Sequence, residues 1–141
     1  MSQIKRTFAA GLIGTLLVAM TAAVSAQQTS RVQFERGNDN AAVSGTITGH
    51  EYRDYILRAN AGQTMSAAIS VESTNGHGSA YFNILPPGSD DVAIFNSSSS
   101  ENNYGEVRLP EDGDYRIRVY LMGNDQDAGK TVSYTLSMTI M

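Results

Sequence analysis

The chain has 141 residues, of which 41% are hydrophobic and 17% charged, a balance too apolar for disorder and too interrupted for a bundle of membrane spans. Thirteen glycines beside only three prolines, with no cysteine and no tryptophan, exclude collagen, a disulfide scaffold and a thiolate-ligated metal site. Ten basic against 14 acidic residues leave a net charge of −4, the reverse of what a nucleic-acid binder carries.

The first 26 residues have the layout of a secretory signal peptide. Lys5 and Arg6 supply the positive segment, Phe8 to Met20 the apolar run, and Val24-Ser25-Ala26 a small-residue cleavage site ahead of the polar Gln27-Gln28-Thr29-Ser30. The apolar run falls short of the ~20 residues that span a bilayer, and no stop-transfer charges follow it. The absence of cysteine excludes a cysteine-linked lipid anchor. An exported domain of residues 27–141 is therefore expected, with no membrane anchor after cleavage. It keeps eight basic and 14 acidic residues, a net charge of −6. Without disulfides it must rely on packing, and a domain of this size buries roughly two-thirds of its unfolded surface.

From Thr29 onward the dominant period is two, which marks half-buried strands. Val32 and Phe34 begin the series, followed by runs at Ala41–Ile47, Tyr52–Ala59 and Met65–Val71. Shorter runs cover Ala80–Leu85, Val92–Phe95 and Asn103–Leu109. The clearest alternation is at the end: Tyr115, Ile117, Val119 and Leu121, then Val132, Tyr134, Leu136, Met138 and Ile140. Turn signals such as Gly37-Asn38-Asp39-Asn40, Asn60-Ala61-Gly62, Pro86-Pro87-Gly88 and Asp112-Gly113 fall between the runs at the 8–12-residue spacing of a sandwich. No window carries the stripe of an amphipathic helix. The expected fold is all-β, a jelly-roll-like antiparallel β-sandwich of eight or nine strands in one domain. The serine-rich Asn96–Asn103 reads as a mobile loop.

Catalytic chemistry is sparse. His50 and His77 are the only histidines, and neither has a partner at ligand spacing, so both read as solvent-facing loop residues. No G-x-S-x-G elbow and no phosphate-binding glycine loop is present. Asn124-Asp125-Gln126-Asp127-Ala128-Gly129 has the oxygen spacing of a calcium loop but lacks the distal glutamate, and a hairpin loop kept soluble by its carboxylates is the stronger reading. No cofactor and no metal site is indicated. A secreted sandwich of this kind acts by presenting loops at its ends.

Several segments, taken in order, resemble the periplasmic inhibitors of goose-type lysozyme. Val32-Gln33-Phe34-Glu35-Arg36-Gly37 opens the match. Ser44 to Tyr55 fits S-G-x-I-x-G-x-x-Y-x-x-Y, and Ala59-Asn60-Ala61-Gly62-Gln63 fits A-x-x-G-Q. Leu109-Pro110, Gly113–Val119 and Asn124-Asp125 fit L-P-x-x-G-x-Y-x-L-R-V followed by N-D, and the Tyr134–Ile140 run closes it. Only about residues 72–103 are unlike. A weaker and more general similarity is to the pre-peptidase C-terminal domains of secreted bacterial proteases.

The resemblance implies a periplasmic, non-enzymatic protein that blocks the cleft of a goose-type lysozyme with loops from one end of the sandwich. It places the Thr48–Arg53 and Met122–Lys130 loops together and makes His50, Tyr52, Asn124 and Asp125 the partner-binding residues. It also implies an aromatic residue after the S-G-x-I-x-G segment and two arginines flanking N-D, which would engage carboxylates of the cleft. Here those positions hold His50, Gly123 and Asp127. The alternative is a pre-peptidase-like sandwich that binds glycan or another envelope component, with or without calcium. An enzymatic role would rest on the two histidines alone.

Overall fold

Alternating side chains build two sheets that pack their apolar faces together, in a computed structural model that describes residues 27–141. The signal-peptide reading of residues 1–26 lies outside the described residues. The strands are β1 (Gln27–Arg31), β2 (Asn40–Thr48), β3 (Tyr52–Ala59), β4 (Thr64–Thr74), β5 (Ala80–Leu85), β6 (Phe95–Asn96), β7 (Tyr104–Arg108), β8 (Gly113–Leu121) and β9 (Thr131–Ile140). One sheet has the order β1-β3-β8-β5-β6 and the other β2-β9-β4-β7. The expected sandwich of eight or nine strands is thus present, with nine among the described residues.

Each long strand buries alternate residues. In β8, Tyr115, Ile117, Val119 and Leu121 are fully buried while Arg116, Arg118 and Tyr120 face outward; in β9, Val132, Tyr134, Leu136 and Met138 turn inward. Leu57, Ile69, Phe82 and Ile84 complete the facing layers. Tyr115 also donates a 2.6 Å hydrogen bond to the Glu111 carbonyl, and it accepts the Glu111 amide, so the turn before β8 is pinned to the core by a phenol. At Gly45 of β2 the missing side chain is filled from below. A Cβ there would lie 2.5 Å from the Tyr134 oxygen and 2.8 Å from that of Tyr55.

Four local features differ from the sequence expectation. β1 pairs with β3 in parallel, with Gln27 opposite Tyr52, so the sandwich is antiparallel except along this edge. Val32 and Phe34 follow that strand instead of opening one, and they pack against the core from irregular chain. Of the Val92–Phe95 run, only Phe95 pairs, because Ile94 is joined to β5 by a single backbone bond.

The serine-rich segment is anchored, against its reading as a mobile loop. It forms two short 3-10 turns, Ser97–Ser99 and Glu101–Asn103. Ser97 is fully buried; its hydroxyl accepts the Phe82 amide and donates to Asn103, whose amide group in turn donates to the Ala80 carbonyl. Serine composition signals solvent exposure, but a buried hydroxyl with both partners satisfied is equally stable.

Candidate functional site

The chain folds so that three connections meet at one end of the sandwich. The β2–β3 turn is closed by the Glu51 amide bonding to the Thr48 carbonyl at 3.0 Å and by the Thr48 amide bonding to the Glu51 carboxylate at 2.8 Å. The Gly49 amide then donates to the Lys130 carbonyl at 2.9 Å, which draws this turn against the β8–β9 connection. His50 is left exposed at the tip. The Thr48–Arg53 and Met122–Lys130 segments therefore lie side by side.

The β8–β9 connection contains a helix, α1 (Gly123–Asp127), where the sequence pattern gave no helix. Five residues are too few to show a stripe, so periodicity is blind to such a turn. Asn124, in its first turn, is exposed.

Asp125 takes the opposite role. Its side chain is fully buried, with Oδ1 accepting the His77 amide at 2.9 Å and Oδ2 the Ser79 amide at 2.8 Å. Those backbone hydrogen bonds, His77 first, hold the carboxyl below the usual carboxylate range against the opposing effect of burial. Asp125 therefore braces the β4–β5 loop and does not face a partner, which corrects its place among the partner-binding residues. It also corrects the reading of Asn124–Gly129 as a loop kept soluble by its carboxylates, since only Asp127 of the two is exposed. Among the described residues no group of three or more histidine, aspartate or glutamate side chains is arranged to hold a metal.

The loop that Asp125 holds reaches it through Gly76, where a Cβ would collide with the Asp125 carboxylate and with Lys130. Asn75 and Thr74 fasten the same loop to Thr131. His77 is thus brought to the end that carries His50, and its side chain is exposed as well. Met122, 41% exposed, adds an apolar group that the sequence reading did not single out.

Tyr52 starts β3 on the outer face of the five-stranded sheet, at the margin of this end. Its ring lies under the Arg118 guanidinium, 4.4 Å from centroid to carbon. Arg118 is itself fixed by two bonds to Asp54, 2.8 Å to Oδ1 and 2.9 Å to Oδ2. Asp54 is fully buried, with Arg116 and Gln27 as further partners. A buried carboxylate without cations would be costly, so this ionic cluster holds three strands in register and sets the Tyr52 ring. Of the four residues singled out from sequence, His50, Tyr52 and Asn124 share one end of the molecule with an accessible surface, and Asp125 lies beneath them.

No family model matches the chain. The inhibitor of g-type lysozyme from Escherichia coli (strain K12) is 31% identical over 128 residues, covering 89% of this chain and 92% of that protein. Among solved structures, PliG of Aeromonas hydrophila, a periplasmic lysozyme inhibitor of g-type lysozyme, is 32% identical with a TM-score of 0.73. That match covers 82% of this chain and 97% of its own. PliG of Salmonella Typhimurium is 27% identical with a TM-score of 0.64, over 81% and 98%. The pre-peptidase C-terminal domain of a Bacillus anthracis collagenase, 15% identical with a TM-score of 0.54 over 80% and 94%, shares the fold. The order of motifs, the two-sheet topology and the identity over nearly the whole length converge: the chain belongs to the family of inhibitors of g-type lysozyme.

Proposed function

We propose that this protein is an exported, periplasmic inhibitor of goose-type lysozyme that acts without catalysis, by inserting the loop end of the sandwich into the enzyme's cleft. Family membership supports the partner, and the periplasmic relatives support the compartment. The observation that carries the mechanism is the joining of the β2–β3 turn to the β8–β9 connection through Gly49 and Lys130, with the β4–β5 loop locked on by Asp125. Loops fixed in this way lose little freedom on binding, so most of the contact energy is retained. His50 and Asn124 would enter the cleft, with Tyr52 and Met122 at its rim.

The test is a muramidase assay with the full chain expressed with its own N-terminus, exported and then purified. Goose-type and chicken-type lysozymes are compared. The expectation is inhibition of the goose-type enzyme at submicromolar protein, weakened at least about tenfold by Asn124→Ala combined with His50→Ala. No inhibition of either enzyme at micromolar protein would remove the proposal. Mass spectrometry of the exported protein should give a chain starting at Gln27.

A further inference from the structure

The two outer faces of the sandwich are unlike. That of the four-stranded sheet is a carpet of small hydroxyl side chains, with Thr46 paired to Ser133 and Thr48 to Thr131 across the β2–β9 ladder. That of the five-stranded sheet carries a transverse row of three tyrosines. Tyr52 on β3 stands opposite Tyr120 on β8, and Tyr120 stands opposite Tyr81 on β5. The Tyr81 and Tyr120 rings are 6.4 Å apart, and all three side chains are half-buried, with rings held at the surface.

The row sits at the loop end. Tyr52 follows the His50 turn, Tyr120 is two residues ahead of Met122, and Tyr81 is two residues beyond Ser79, whose amide is held by Asp125. Farther from that end the same face is covered by the chain after β5. The Asp90 carbonyl accepts a 2.9 Å bond from Arg118, and its carboxylate lies 3.7 Å from Arg116. Two rings of the row are also held in place: Arg118 stacks on Tyr52, and the central Tyr120 donates a 3.0 Å bond to Asn83, next outward residue to Tyr81 on β5.

From this arrangement we propose that the tyrosine row is the second half of the lysozyme-binding surface, continuous with the loop end, so that the enzyme's rim rests on Tyr52, Tyr120 and Tyr81 while the loops occupy its cleft. The inference rests on the lysozyme-inhibitor reading given above. A specific interface of ordinary size engages roughly 20–30 residues a side, which the tips of three short loops do not supply. Fixed tyrosines supply contact area at small entropic cost and are enriched at the energetic centres of interfaces.

The experiment measures binding of goose-type lysozyme to the exported full chain by calorimetry, alongside Tyr81→Ala, Asn124→Ala and Tyr104→Ala. Tyr104, 47% exposed on β7 of the other sheet, is the control. Tyr81→Ala is expected to weaken binding roughly ten- to thirtyfold and Tyr104→Ala to leave it unchanged. In the unaltered protein, the NMR ring signals of Tyr52, Tyr81 and Tyr120 should shift on adding the enzyme while that of Tyr104 stays in place. This readout decides the matter if Tyr81→Ala folds poorly. Loss of binding in Asn124→Ala with silent tyrosine rings overturns the row and leaves the lysozyme reading standing. Ring shifts with soluble peptidoglycan fragments but not with lysozyme assign the row to glycan and overturn the proposal. No binding by the unaltered chain removes both.

Discussion

The phenol oxygens of Tyr55 on β3 and Tyr134 on β9 lie 2.7 Å apart, one hydrogen bond that joins the two sheets through the core. Burial first, and the hydrogen bond with Tyr55 second, push the Tyr134 phenol above its ordinary value of 10.0. A group that holds its proton more tightly when folded contributes stability fully below the unfolded pKa and loses it as pH rises beyond. Unfolding free energy should therefore decline above about pH 10, and Tyr134→Phe should flatten that decline by about 1.4 kcal/mol per pH unit, one proton's worth. Denaturant titrations at several alkaline pH values check this; identical slopes in the two proteins would contradict it.

Gly45 covers the same pair of hydroxyls, and any side chain at that position must displace them. Gly45→Ala should cost roughly 1–3 kcal/mol, the usual range for overpacking a core. Thermal melting should fall by roughly 4–8 °C for each kcal/mol in a domain of this size. An unchanged melting temperature would show that Tyr134 has room to move.

These two cases also show what the sequence could disclose. Alternation over Tyr115–Leu121 and Val132–Ile140 reveals two central strands because a half-buried strand writes its burial pattern at every second residue. Gly45 appears as a motif letter, yet its meaning depends on two tyrosines 10 and 89 positions away in the chain. Asp125 is visible as a motif residue but its role is not, since nothing local distinguishes an exposed loop carboxylate from one aimed at the amides of His77 and Ser79. The tyrosine row was open to view only in part. Tyr120 fell in the outward set of β8, but its neighbours Tyr52 and Tyr81 are set by strand order, which the periodicity does not carry.

Replacing Asp125 removes the acceptor of the His77 and Ser79 amides. In Asp125→Ala, the His77 and Ser79 amides should exchange with solvent much faster than in the unaltered chain, and inhibition should weaken although no contact residue has changed. Because its folded carboxyl sits below 3.8, the brace holds above that pH and is lost as pH falls through the lower folded value. Hydrogen exchange measured near neutral pH and under acid conditions tests both statements. Slow exchange at His77 and Ser79 in the variant would end the bracing argument.

Asp127 is exposed at the end of α1, at a position where the resemblance to the inhibitor family implies an arginine. Every glycoside hydrolase of the usual type works with carboxyl groups in its cleft, so reversing this charge should help a loop enter. Asp127→Arg should tighten inhibition of goose-type lysozyme roughly tenfold and make it more sensitive to salt. Equal or weaker inhibition at low ionic strength would mean that α1 does not approach the enzyme's acidic groups.

The parallel pairing of β1 with β3 gives the molecule a polarity with practical weight. Gln27 lies opposite Tyr52, whereas Met141 is bonded to Thr64 at the far end of the sandwich. A tag attached ahead of Gln27 leaves from the end that carries the β2–β3 turn, where on the proposed reading it would compete with the enzyme for space. A tag attached after Met141 leaves from the opposite end, beside Thr64. A carboxyl-terminal fusion is therefore the arrangement that leaves the proposed binding end clear for assay.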